Sequence, residues 1–177
     1  MPNLVEKSTV FSQSYDREYG LFVGSGTTAL TLACLQATST RQKILLPAIA
    51  CAHVLYSVLY AGCIPVFVDV LNENGLIDPD KACEALDSDE QIGAVVVVHI
   101  YGQIADTKPI YEKAKTLGVL VIEDAAQAQG GTYPDGRIVG SYGDLSVFSF
   151  GHTKILDLGR GGILMTNNKK FFSSCCS

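Results

Sequence analysis

Lys154 follows Asp124 by thirty residues, and each stands where a reactive group would be useful. Asp124 closes the apolar run Val119-Leu120-Val121-Ile122-Glu123 and opens Ala125-Ala126-Gln127-Ala128, while Lys154 ends the turn Gly151-His152-Thr153 after Ser149-Phe150. An acid can hold a pyridine nitrogen protonated, so that the ring accepts electrons, and a lysine can form a Schiff base with an aldehyde. Together they are what pyridoxal 5'-phosphate (PLP) chemistry requires. A lysine freed from such a bond can also carry the proton between the Cα of an amino donor and C4′ of the cofactor, as general acid/base. Singly, each residue has a plainer reading: Asp124 as a helix cap or salt-bridge partner, Lys154 as a solvated surface group.

A third cluster, Gly24-Ser25-Gly26-Thr27-Thr28-Ala29, follows one apolar run and opens an amphipathic one. Free N–H groups and hydroxyls at a helix start make a phosphate cup. The same residues read as G-x-G-x-x-A, the dinucleotide fingerprint of an NAD-binding Rossmann module, or as a glycine turn with an N-cap and no ligand. The Rossmann reading expects an acid at the end of the second strand. This chain has Leu46-Pro47 there. Ser149 offers a further hydroxyl for a phosphate. His99 and Tyr101 are candidate pocket walls, Glu123 points away from Asp124 as a structural acid, and His152 reads as turn packing because no second ligand is spaced from it. The glycines of Gly159-Arg160-Gly161-Gly162 form a flexible turn that would let backbone approach the lysine.

These groups need a frame. Apolar runs at 21–23, 44–46, 66–68, 94–98, 120–122, 145–148 and 163–165 alternate with helical patterns at 27–36, 52–61, 79–86 and 107–116, with a last helix near Asn168. That rhythm predicts an α/β fold with a mostly parallel sheet sandwiched by helices. Val95-Val96-Val97-Val98 is apolar throughout, as a strand covered on both faces must be. Polar clusters at the strand ends then share one edge of the sheet, where open α/β folds bind ligands. Residues 1–20 are polar and weakly patterned, an N-terminal arm with one short helix, and 21–177 form the domain.

With 13 Lys and Arg against 18 Asp and Glu, a net charge of −5 and no basic cluster beyond Lys169-Lys170, the chain lacks the surface for nucleic acid or an anionic membrane. Neither a membrane-length apolar run nor a signal-peptide core is present. Six cysteines without C-x-x-C spacing fit a reduced, cytoplasmic protein in which Cys34, Cys51, Cys63 and Cys83 are small buried residues and no metal is bound.

Taken together the motifs resemble the DegT/DnrJ/EryC1/StrS aminotransferases, PLP enzymes of fold type I. The resemblance runs from about Leu21 to Asn168 and rests on Gly24-Ser25-Gly26-Thr27-Thr28-Ala29-Leu30, Ala61-Gly62-Cys63-Ile64-Pro65-Val66-Phe67-Val68-Asp69, His99-Ile100-Tyr101-Gly102-Gln103, Glu123-Asp124-Ala125-Ala126-Gln127-Ala128, Gly143-Asp144 and Phe148-Ser149-Phe150-Gly151-His152-Thr153-Lys154. It implies Lys154 as the Schiff-base lysine, Asp124 as partner of the pyridine nitrogen, Gln127 near the phenolic oxygen, and Gly26, Thr27 and Ser149 around the phosphate. It also implies transfer of an amino group from glutamate or glutamine to a keto-sugar, usually nucleotide-linked, for polysaccharide or other sugar biosynthesis, by a homodimer with interfacial sites. A lysine rather than a histidine at 154 favours aminotransfer over dehydration. Two features depart from the family: Cys51 stands four residues after Pro47, where many relatives carry an aromatic residue, and the tail 171–177 is unlike them. The expectation is a truncated large domain without the small C-terminal domain, and the alternative a catalytically incomplete PLP-binding fragment.

Overall fold

The computed structural model describes residues 3–37 and 41–176, with the side chain of Val5 left aside. Seven strands form one sheet in the order β1-β7-β6-β5-β4-β2-β3. They are β1 (Tyr19–Val23), β2 (Lys43–Pro47), β3 (Ile64–Val68), β4 (Ile92–Val98), β5 (Leu120–Asp124), β6 (Leu145–Ser149) and β7 (Gly162–Thr166). Only β7 runs against its neighbours, β1 and β6; the other pairs are parallel. Each expected apolar run lies within an observed strand.

Helices α1 (Leu4–Gln13), α2 (Gly26–Leu35), α3 (Ala52–Tyr60), α4 (Pro79–Ser88), α5 (Thr107–Leu117) and α6 (Lys169–Cys175) accompany the sheet. Local chemistry explains their limits. Asp78 accepts the N–H groups of Asp80 and Lys81 ahead of Pro79, an N-cap with proline in the first turn. Gly118, at φ 65°, ends α5 in the left-handed conformation that glycine adopts without a Cβ penalty. All seven residues of β4 are buried, whereas the edge strand β3 leaves Ile64 and Phe67 exposed.

The segment before β1 is built into the fold. Asn3 and Glu6 form a capping box that starts α1, which packs on β1, and Ser8, Ser12 and Arg17 are buried. An arm was expected over 1–20 because the apolar signal there is thin. What fixes the segment is polar: Arg17 donates from Nε to the Gly140 carbonyl at 2.7 Å and from Nη2 to the Gly143 carbonyl at 2.6 Å. Periodicity does not register anchors of that kind.

Parallel pairing brings the carboxyl ends of β1, β4, β5 and β6 to one edge, and the reversed β7 enters at that same edge through Gly162, paired with Val23 and Ser149. The topology also removes the dinucleotide reading. β1 lies at the sheet edge, five positions from β2, whereas a Rossmann unit pairs its first two strands side by side.

Candidate active site

At that edge opens a cavity of about 330 Å³. Its walls bring together all six residues singled out for the cofactor: Gly26, Thr27, Asp124, Gln127, Ser149 and Lys154. Three separate strand ends, those of β1, β5 and β6, supply them, so no single motif could have made this cluster by itself.

The cup is assembled by close backbone approach. Ser25 Oγ accepts the Thr28 N–H at 3.0 Å and caps α2, and Ser57 of α3 donates to the Thr27 carbonyl at 3.2 Å. In an α-helix the N–H groups ahead of that cap bond have no intrahelical acceptor, and they aim along the positive end of the dipole. Gly26 faces Ser149: a Cβ on Gly26 would sit 2.8 Å from Ser149 Cβ. Behind it, a Cβ on Gly162 would lie 2.6 Å from the Gly26 nitrogen. Of the glycines at 159–162, Gly162 packs against the cup, while Gly159 faces His152 in the turn before Lys154. Gly162→Ala has no side-chain rearrangement open to it, because its obstacles are backbone atoms. It is expected to cost about 1–3 kcal/mol in urea denaturation and to weaken phosphate-bearing ligands, by the general cost of overpacking.

Asp124 is buried at the end of β5, and its Oδ1 accepts the Ala126 N–H at 3.1 Å. No ion pair to it forms among the described residues. Burial pushes its carboxyl above the usual carboxylate range, against the pull of the Ala126 N–H and the charge of Lys154. A raised folded pKa means stability present below the ordinary carboxylate value and lost as pH rises through the raised one. Asp124→Asn, which keeps the acceptor for Ala126, should thus melt a few degrees above the wild type at pH 7 without ligand, the response to about 1 kcal/mol in a domain of this size. The two should converge near pH 4, as thermal denaturation across pH will test.

Glu123 points to the other side of β5, as its place in the strand predicts. It is fully buried, accepts the N–H groups of Tyr142 and Gly143 at 2.9 Å each and the hydroxyl of Tyr133, and lies 3.6 Å from Arg17. Burial pushes its carboxyl up, but the hydrogen bonds from His99, Tyr133 and Gly143 win and hold it below the usual range. His99 lines the cavity. Tyr101 does not: it is exposed, at φ 57°, and its N–H donates to Gln127 Oε1 at 2.7 Å. Gln127 is therefore aimed by backbone, a contact invisible to sequence spacing.

Cys34 and Cys63 are buried as expected, and Cys83 partly so. Cys51 is exposed and lines the cavity with His53, because it precedes α3 at the open edge and not within the core. His152 is exposed, 3.5 Å from Asp157, in a turn outside the cavity. Among the described residues no cluster of three or more metal-binding side chains occurs, and no helix is long and apolar enough to cross a membrane.

Residues 3–176 match the DegT/DnrJ/EryC1/StrS aminotransferase family. The chain belongs to that family. The match takes in the segment before β1 and the tail through Cys176, both of which the motifs alone left outside it. GDP-perosamine synthase of Escherichia coli O157:H7 is 33% identical over 98% of this chain and 47% of its own length, and that of Caulobacter vibrioides 38% identical over 93% and 44%. The chain thus spans less than half the length of these relatives. The solved aminotransferase from Psychrobacter cryohalolentis superposes with a TM-score of 0.86 at 32% identity, over 96% of this chain and 42% of its own. NtdA of Bacillus subtilis, solved with bound cofactor PMP, gives 0.87 at 28%, over 99% and 39%. The fold is the large domain of fold type I aminotransferases.

Proposed function

We propose that this chain carries the PLP-binding half-site of a sugar aminotransferase, with Lys154 and Asp124 as its catalytic residues. The observation that carries the reading is the single cavity that Asp124, Lys154, Gln127, Ser149, Gly26 and Thr27 share. The donor set fits the cofactor: a cup of N–H groups and hydroxyls suits a phosphate, and a buried carboxylate without a counter-ion suits a protonated ring nitrogen. When bound, PLP supplies an electron sink for the carbanion formed at Cα of an amino acid.

The chain's own residues do the rest. Gly26, Thr27 and Ser149 hold the phosphate, Asp124 keeps the ring nitrogen protonated, and Gln127 sits by the phenolic oxygen with its side chain set by Tyr101. Lys154 Nζ anchors the cofactor aldehyde and afterwards moves the proton between Cα and C4′. The donor is an amino acid, glutamate or glutamine, and the acceptor a nucleotide-linked keto-sugar, in keeping with relatives named GDP-perosamine synthase and dTDP-3-amino-3,4,6-trideoxy-alpha-D-glucose transaminase. A homodimer in the cytoplasm is the expected form, in sugar or polysaccharide biosynthesis.

The test is spectroscopic. Mixed with PLP, the 177-residue chain should gain a visible absorption band, and glutamate should convert it to a near-ultraviolet one. A band that forms and ignores glutamate and glutamine would make the chain a PLP-binding fragment without turnover. No band would end the cofactor reading.

A further inference from the structure

We propose that His99 is a positioning residue of this cavity, held by Glu123 as the neutral tautomer with its proton on Nε2. His99 follows β4 directly, and its N–H donates to the Asp124 carbonyl at 3.0 Å, which sets it beside the acid. The ring is buried. Nδ1 accepts the Ala105 N–H at 3.1 Å. A backbone amide can only donate, so Nδ1 must offer its lone pair and the ring proton must be on Nε2. Nε2 faces the Tyr133 oxygen at 3.2 Å and Glu123 Oε1 at 3.5 Å. Tyr133 gives its own proton to Glu123, which leaves its oxygen free to accept from His99 and to meet Thr107 Oγ1 at 2.9 Å.

A second proton on the ring would set Nδ1–H against the Ala105 N–H and break that bond. The charges facing His99 are Glu123 and Asp124 on β5, with Arg17 behind Glu123 and Lys154 across the cavity. Two carboxylates alone would favour an imidazolium. Arg17 and the N–H groups of Tyr142 and Gly143 already answer one of them. The cavity wall beside Asp124 is thereby a ring fixed in place, with both nitrogens engaged. His99 acts through its neighbours and is no acid or base of the reaction.

Ring-nitrogen NMR of the three histidines in the 177-residue chain tests this at a single, mildly alkaline pH. The exposed His53 and His152 serve as internal references for imidazoles whose tautomer no buried partner fixes. His99 should show the Nε2–H signature. A His99 that exchanges between tautomers, or that carries its proton on Nδ1, overturns the proposal without any variant. In Glu123→Gln the His99 signals should move into tautomer exchange, and PLP affinity should fall about tenfold, the effect of losing one charge-assisted hydrogen bond. Unchanged ring signals and affinity in a folded Glu123→Gln would also overturn it. Only the affinity readout rests on the PLP reading: wild-type chain that fails to take up PLP sinks that reading, and the ring spectra still decide on His99.

Discussion

Lys154→Ala is expected to abolish the visible band that PLP gains on mixing with this chain and to lower amino transfer from glutamate by at least about 10³-fold. In the function proposed above, two roles fall together on Nζ, anchoring the aldehyde and moving the proton at Cα, so truncation would remove both at once. The fold should survive it. Lys154 is half-buried in a turn fixed by backbone bonds, its own N–H donating to the Gly151 carbonyl at 3.0 Å and that of Leu158 to the Phe150 carbonyl at 3.0 Å. Unchanged circular dichroism and urea midpoint beside the lost band would separate this from unfolding. A variant that keeps both the band and its response to glutamate would show that another lysine does the work.

Arg17→Ala should produce the largest loss of stability, about 3–5 kcal/mol, the cost of removing one member of a buried charge pair. Three partners are stranded: the carbonyls of Gly140 and Gly143 and the Glu123 carboxylate, all buried or nearly so. The pH dependence has a definite sign. Glu123 has a lowered folded pKa, so its contribution is complete above the unfolded value of about 4.3 and is lost as pH falls through the folded one. In Arg17→Ala less of that contribution remains to be lost, and the gap to wild type should narrow in acid. Urea denaturation at pH 7 and pH 3.5 measures both quantities. A loss under about 1 kcal/mol at pH 7 would mean that water reaches Glu123 in place of the guanidinium.

The part of this molecule that the sequence displays is the part governed by local rules. Alternation of apolar runs and helical patterns located seven strands, because β4 is buried along its whole length and its neighbours carry apolar stretches of three or more residues. The six residues that share the cavity were legible because each closes a strand, stands in the turn after one or lies in the first turn of a helix, and a parallel sheet sends such ends to one edge. What escaped depends on distant partners. Arg17 looks like any surface arginine until Gly140 and Gly143, more than a hundred residues away, present their carbonyls to it. Tyr101 looks like a pocket wall, but the backbone turns left-handed there and sends the ring outward while the N–H takes Gln127. Cys51 reads as a core residue by type, and only its place ahead of α3 at the open edge exposes it. The antiparallel entry of β7 was equally hidden, since an apolar run does not carry its direction. It is that entry which presses Gly162 against Ser25 and Gly26 at the start of α2.

Incubation of the chain with PLP, reduction by borohydride and peptide mass mapping tests the central claim most directly. The cofactor is predicted to be fixed to Lys154 alone, in stoichiometric amount, and to be lost when phosphate competes for the Gly26 and Ser149 cup. Labelling spread over surface lysines such as Lys169 and Lys170, or no labelling of Lys154, would contradict it.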